Sequence, residues 1–522
     1  MRKFFRILIV FTFLIRSGIT AAQPISSAQI DQLVERTLTT FDVPGIAVAV
    51  VKDGKVIHSK GYGVRSLITR QKVDENTLFG IASNSKAFTA AALGILNDEG
   101  KLKWDDKVID YIPEFRMYNA YVTEEFTIRD LLTHRSGLGL GAGDLMFWPD
   151  SSDFTMKDII YNLRYLKPVS GFRTKYDYDN LLYMVAGEVV QRVSGKSWEE
   201  FVEERLMLPL QMNNSAGSWL RVKDKSNAIE AHAAVNGKVQ VIPRDIFRFG
   251  NSAGGINSSV ADMSKWIIMQ MNGGKYGTDM SKQLFSKKVH NEMWSPQTII
   301  PANTSQPYQT HFSAYGLGWF LSDVKGYKQV THTGGLAGMV TQVTMLPELQ
   351  LGIIVFTNQQ SGSAFSSITN TIKNSYLGIP ATDLVKVYSD RAKSELAEAD
   401  SITSNIWKDI AAEQQKNTSK VNYKAFAGTY HDNWFGDIEL SEKNGKFRFD
   451  SKRAPKLSGE VFFYKNNTFI VKWDRRSFDA DAYLYFQTDK DGKPAAIKME
   501  AISPLTDFSF DFHDLDLKRI EK

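Results

Sequence analysis

The apolar positions of this chain change their period several times, and each change marks an element. Ile30, Leu33, Val34 and Leu38 recur at helical spacing behind Ser26 and Ser27, either of which can cap a helix start. Gly45 to Val51 (GIAVAVV) is continuously apolar, and Asp53-Gly54 separates it from KVIHSKGYG; two strand-like runs around Asp-Gly predict a β-hairpin. Leu78 to Ala82 is another short apolar approach, and it stops at Ser83. The following AFTAAALGIL is rich in helix formers and small residues, the pattern of a helix buried on all sides. From about Lys101 to Gly274, helical stretches alternate with Gly-rich loops such as SGLGLGAGD (Ser136 to Asp144). Strand signals return at YGLGWFL (Tyr315 to Leu321), VTQVTMLP (Val340 to Pro347) and LGIIVFTN (Leu351 to Asn358). Strands near both ends with helices between them predict one α+β domain whose sheet is closed by distant segments.

The pattern changes again after about residue 380. Residues 381–420 are charged and helix-prone and read as a helical linker. From Tyr423 onward, short alternating runs are separated by turns at Lys443-Asn444-Gly445-Lys446, Lys465-Asn466-Asn467 and Lys490-Asp491-Gly492-Lys493. Regular short strands with such turns predict a small antiparallel, barrel-like β-domain over 421–522.

Composition adds constraints. The 522 residues are 43 % hydrophobic and 23 % charged, which is ordinary for a globular chain. Arg2 and Lys3, the apolar Ile7 to Ile15 and the small residues Thr20-Ala21-Ala22 form the layout of a secretory signal peptide over residues 1–22, too short to be a spanning helix. The reading is therefore a periplasmic or secreted protein with no stable membrane anchor after cleavage. Losing the four basic residues of that leader takes the formal net charge from +5 to +1, which leaves no field to attract nucleic acid. There is no cysteine, so disulfides, thiolate metal sites and a cysteine nucleophile are excluded. The eight histidines are scattered without ligand spacing, and no metal or other cofactor is expected.

The candidate chemistry begins at Ser83. Only Ser83 (SNSK) and Ser322 (SDVK) have a lysine three residues on, and Ser322 is placed in a turn between strand-like runs. At a helix start, positions i and i+3 share a face, so Lys86 would lie beside the Ser83 hydroxyl. The helix N-terminus would also offer N–H groups to an oxyanion. Lysine activates a serine only when burial or a nearby cation lowers its pKa. A second piece is Tyr178-Asp179-Asn180 directly before an apolar helical run. There a phenol could relay a proton, and an amide could bind a substrate carbonyl or the lysine. A third is His332-Thr333-Gly334-Gly335, where glycines let backbone pass close to a ligand. Each piece alone is matched by a bland reading: a capped helix, a core tyrosine, a satisfied core histidine.

In this order the three segments resemble the penicillin-recognising serine hydrolases, in particular class C β-lactamases and their D-stereospecific peptidase and esterase relatives. LLTHRSGL (Leu131 to Leu138), SAGGINSSVADMSKW (Ser252 to Trp266), YGLGW (Tyr315 to Trp319) and PELQLGIIVFTN (Pro347 to Asn358) extend the likeness from about Ile30 to Leu377. The resemblance implies an antiparallel sheet flanked by helices with a helical subdomain over 23–380. The tail resembles lipocalin-like modules appended to some of these peptidases, which can narrow the active-site entrance or mediate assembly. By the same resemblance Ser83 is the nucleophile, and Lys86 is its activating base or the group that keeps Tyr178 ionisable. Tyr178 is the general base and leaving-group proton donor. Asn180, His332, Thr333 and Gly334 bind substrate, and the N–H groups of Ser83 and Gly335 form the oxyanion hole.

Two positions depart from the commoner pattern. His332 stands where many members carry lysine, and a neutral histidine anchors a carboxylate weakly, so efficient penicillin hydrolysis is in doubt. Asp179 stands where relatives have a small residue, and it is expected to face outward. His134 is assigned to a structural motif. Gly139 to Asp150 and Thr298 to His311 are expected to wall the pocket. The resulting expectation is an exported hydrolase of small amides or esters, D-amino-acid-containing peptides foremost. The alternatives are a true β-lactamase or a non-catalytic receptor for penicillin or peptidoglycan fragments. The partner is a small-molecule or short-peptide substrate, and the oligomeric state is left open.

Overall fold

The computed structural model describes residues 24–416 and 421–520; the leader read from residues 1–22 lies outside them. Helix α1 (Ser27–Thr40) starts at Ser26, whose side chain and Gln29 close a capping box. The Asp-Gly hairpin forms as β1 (Gly45–Lys52) and β2 (Lys55–Gly63). They join β3 (Thr298–Ile300), β4 (Ser313–Tyr315), β5 (Phe320–Val324), β6 (Tyr327–Leu336), β7 (Met339–Leu346) and β8 (Leu351–Thr357). The sheet order is β2-β1-β8-β7-β6-β5-β4-β3, with every neighbouring pair antiparallel. Distant segments thus meet one strand in from its β2 edge, where Val48 opposes Val355.

Helices cover both faces of the centre, which is why β1 and β8 are apolar throughout rather than alternating. On one face α1 and α5 (Gly362–Tyr376) bury Ile30, Val34, Ile368 and Ile372 against Ile46, Val48 and Ile353. On the other, α2 (Ser85–Asp98), α3 (Asn180–Ser194) and α4 (Val260–Met271) fill a larger core, with Phe88 stacked on Trp266 at 3.9 Å between ring centroids. This is the α+β arrangement expected.

Two local readings are corrected. Tyr315 to Leu321 is not one strand: Gly316–Trp319 turn the chain between β4 and β5. Gly318 has φ +78°, and a Cβ there would lie 2.8 Å from the Lys86 carbonyl oxygen, so the turn is pressed against α2. Ser322 lies inside β5 rather than in a turn, and its hydroxyl accepts from Gln329 Nε2 at 3.3 Å.

Helix α6 (Leu384–Lys416) packs Ile406 and Ile410 against Tyr464, Ile470 and Ile502 of the second domain. That domain is a closed antiparallel barrel of β9 (Gly428–Asp432), β10 (Gly436–Lys443), β11 (Lys446–Ser451), β12 (Ser458–Lys465), β13 (Thr468–Trp473), β14 (Ala482–Thr488), β15 (Pro494–Ala501) and β16 (Leu517–Ile520). Asn444, Gly445, Asn466 and Gly492 all take positive φ in its hairpin turns, which is what those residue types supply. Its interior is packed with Tyr430, Phe449, Phe469, Trp473 and Phe486.

The barrel is docked on the first domain. Asn162 Nδ2 donates to the Trp434 carbonyl at 2.8 Å, the Arg453 guanidinium lies 3.8 Å from the Phe154 ring centroid, and Lys456 pairs with Asp150. The buried apolar residues of the two domains form one continuous cluster. No described helix is long and apolar enough to cross a membrane.

Candidate active site

The chain reaches Ser83 through a short strand, Phe79–Gly80, paired with Asn257–Ser258. Ala82 then takes φ 50°, a left-handed conformation uncommon for a residue with a side chain. That reversal leaves Ser83 half-buried on the wall of a cleft of about 320 Å³, and α2 starts two residues later. The volume suits a small-molecule site.

Lys86 follows one helical turn on and is fully buried. Its Nζ lies 3.1 Å from Ser83 Oγ, 2.7 Å from Asn180 Oδ1 and 2.8 Å from the Ala253 carbonyl oxygen. Asn180 Nδ2 donates to Asp144 Oδ2 at 2.8 Å, which fixes the amide with its oxygen toward the lysine. Asn180 Oδ1 and the Ala253 oxygen can only accept. Of the three contacts, Ser83 alone has a proton to give. Burial pushes the Lys86 pKa down to about 7, against the opposing pull of Asp144 and Asp179. Near neutrality an amine with two N–H groups engaged can therefore turn its lone pair to the serine hydroxyl.

The Tyr178 hydroxyl is buried beside Ser83 without a well-formed hydrogen bond. Burial drives its pKa well up, and the nearby Ser83 hydroxyl offsets this only in part, so the phenol is protonated at neutral pH. Its ring sits 4.7 Å from Lys86 Nζ and 4.2 Å from the His134 ring. His134 accepts the Asp179 N–H at Nδ1 (3.0 Å) and is held neutral by burial, so it acts as packing behind Tyr178. His332 lines the cleft and shares a 2.9 Å hydrogen bond between Nε2 and the Tyr315 hydroxyl; burial, with Lys86 adding to it, lowers its pKa to about 3.

Thr333, Gly334 and Gly335 on β6 form the opposite wall. The two glycines serve different ends. A Cβ on Gly334 would lie 2.4 Å from the Ile81 oxygen and 2.8 Å from Ala82 Cβ, so the strand can approach the nucleophile turn only as glycine. A Cβ on Gly335 would meet nothing within 4 Å, because that position faces the cleft.

Three features were hidden from sequence reasoning. Asp179 does not face outward. It is fully buried and caps α3, accepting the Leu182 N–H at 3.4 Å, and burial raises its pKa to about 7. The segment 298–311 contributes nothing to the cleft wall; Leu140, Phe147 and Trp148 do, together with Phe247 and Phe320. The third feature is the barrel. Its β15–β16 loop enters the cleft with Asp507, Phe508 and Ser509. Ser509 Oγ donates to Asp144 Oδ2 at 2.8 Å, Asp511 accepts the Gly143 N–H at 2.6 Å and the Leu145 N–H at 3.4 Å, and Phe508 meets the Tyr178 ring edge-on at 5.8 Å. A chain of contacts thus runs from the barrel through Asp144 and Asn180 to Lys86. The likeness of the tail to modules that can narrow an active-site entrance pointed toward the cleft, but neither it nor the alternation of Asp and Phe in LTDFSFDFHD said which residues would enter or what they would touch.

The chain is similar to known proteins along most of its length. Residues 30–374 match the family described as Beta-lactamase, and residues 412–519 match a family described as Domain of unknown function (DUF3471). The chain is 28 % identical over 432 residues to the unguisins hydrolase ungD of Aspergillus violaceofuscus, covering 78 % of this chain and 75 % of that protein. It is 27 % identical over 348 residues to Protein flp of Staphylococcus aureus, covering 64 % of each. Among solved structures, the octameric penicillin-binding protein homologue from Pyrococcus abyssi superposes with TM-score 0.60 at 21 % identity, over 92 % of this chain and 99 % of that one, a likeness of fold.

Proposed function

The chain belongs to the beta-lactamase family, and from that membership we propose that it is a serine hydrolase that cleaves small amides or esters through an acyl-enzyme on Ser83. The observation that carries the proposal is the set of contacts at Lys86 Nζ: 3.1 Å to Ser83 Oγ, with both other partners able only to accept. Lys86 takes the hydroxyl proton as Ser83 Oγ bonds to the carbonyl carbon. The oxyanion forms between the backbone N–H groups of Ser83 and Gly335. Tyr178, protonated at neutral pH, gives its proton to the departing amine or alcohol and recovers one from the Lys86 ammonium. Water on the same side then returns the acyl group as a carboxylic acid. The name carried by the Aspergillus relative, a hydrolase, supports this chemistry.

The family resemblance favours substrates containing D-amino acids. A β-lactamase is the weaker reading, since no cationic side chain lines the cleft among the described residues to hold a penicillin carboxylate. The layout of residues 1–22 supports action outside the cytoplasm. The barrel is proposed to be a lipocalin-like module that narrows the entrance. The test is a fluorophosphonate probe followed by peptide mass spectrometry: label on Ser83 is expected, and label on any other residue refutes the assignment.

A further inference from the structure

Apolar side chains at the mouth of the cleft gather around Tyr178. The β15–β16 loop supplies Phe508, whose ring meets the Tyr178 ring edge-on at 5.8 Å. The polar neighbours of Phe508 are engaged within the chain. Ser509 Oγ donates to Asp144 at 2.8 Å, and Asp507, whose pKa burial raises, accepts the Ser509 N–H at 2.9 Å. The first domain supplies the rest. Gly141 donates its N–H to the Tyr178 carbonyl oxygen at 2.8 Å and has φ +72°. A Cβ there would lie 2.9 Å from Phe508 Cδ2, so glycine lets the ring lie against this loop. Leu140 precedes it on the cleft wall, and a Cβ on Gly139 would lie 3.5 Å from Val169 Cγ1. Phe508, Leu140 and Val169 are 39 %, 45 % and 57 % exposed. Single exposed apolar side chains are ordinary, but these three follow one another along Gly139–Gly141, and two of them line the cleft.

In the proposed reaction Tyr178 gives its proton to the departing amine or alcohol, so the leaving group departs on this side of the cleft. We infer that Phe508, Leu140 and Val169 form a track for that leaving group, and that the preferred substrates are esters or amides of apolar alcohols or amines long enough to reach past the cleft mouth. This deepens the hydrolase reading and rests on it for the side on which the group departs, though not for the binding. The barrel then contributes to leaving-group selection through Phe508.

The experiment compares ethyl acetate, hexyl acetate and ethyl hexanoate by acid release. The last two are isomers that place the same chain on opposite sides of the scissile bond. The expected kcat/KM rises about twofold per methylene of the alcohol, half of what full burial gives, and so at least about tenfold from ethyl to hexyl acetate. Phe508→Ser should lower the hexyl-to-ethyl ratio at least about threefold without lowering the ratio of ethyl hexanoate to ethyl acetate. Val169→Ser, at an exposed position, serves if the first variant does not fold, judged by its melting curve. Equal turnover of the two acetates, an undiminished ratio in the variants, or a loss confined to ethyl hexanoate overturns the track. Calorimetry of 1-hexanol and 1-propanol on the Ser83→Ala variant reads binding apart from chemistry. Tighter binding of 1-hexanol that is weakened by adding Val169→Ser upholds the track even if Ser83 takes no fluorophosphonate, which would refute only the hydrolase reading. Equal binding of the two alcohols refutes the track even if Ser83 is reactive.

Discussion

The neutral state of Lys86 is the assumption on which the proton transfer turns, and it has a measurable signature. The fall of its pKa from 10.5 to about 7 corresponds to about 5 kcal/mol of preference for the uncharged amine, a large effect but one expected for a lysine sealed from water among carbonyl oxygens. With a midpoint near 7, the neutral fraction is about 9 % one pH unit below and about 91 % one unit above. The rate of Ser83 labelling by a fluorophosphonate should therefore rise about tenfold between pH 6 and 8 and then level off. The perturbation that tests the cause is Asp144→Asn. An amide there can still accept from Asn180 Nδ2 and Ser509 Oγ, but it removes the carboxyl whose ionised form favours the ammonium, a form that burial itself disfavours by raising the Asp144 pKa well above the usual carboxylate range. The midpoint should move to lower pH, by less than about one unit, since the charge acts at one remove and burial also favours the neutral form of that carboxyl. Lys86→Arg should lower the rate by about 100-fold or more at every pH, since a guanidinium does not deprotonate. A wild-type profile still climbing toward pH 10, or an upward shift in Asp144→Asn, would refute the reasoning.

Three further outcomes follow from the same geometry. Gly334→Ala should cost about 1–3 kcal/mol in a melting experiment and most of the activity, since its Cβ would overlap the Ile81 oxygen, whereas Gly335→Ala should leave the melting temperature nearly unchanged. Asp511→Ala leaves the buried Gly143 and Leu145 N–H groups without an acceptor and should lower stability by about 2 kcal/mol while raising KM, seen by denaturant titration and steady-state kinetics. His332→Gln should change the rate but not the labelling midpoint near pH 7, because His332 is already neutral throughout that range; a moved midpoint would reassign the titration to the histidine.

The sequence by itself determined the elements and the order of the chemistry. The Asp-Gly hairpin, the apolar helix after Ser83 and the Asn-Gly, Asn-Asn and Asp-Gly turns of the barrel are local, because turn stereochemistry and side-chain period are local properties. The i, i+3 spacing of Ser83 and Lys86 is local too, and across the tight turn that leads into α2 it put hydroxyl and amine 3.1 Å apart. What only the tertiary structure decided is everything set by burial and by contact between distant segments. The apolar run Tyr315 to Leu321 reads as a strand until α2 presses on Gly318 and forces a turn. Asp179 reads as a solvent-facing acid until the Ser136 loop and His134 close over it. The barrel loop reaches Asp144 from 365 residues away, a pairing no periodicity encodes. Proton affinities belong to this second group, since they depend on how much water the finished fold leaves around Lys86, His332 and Asp507, and a sequence carries no record of that until the chain has packed.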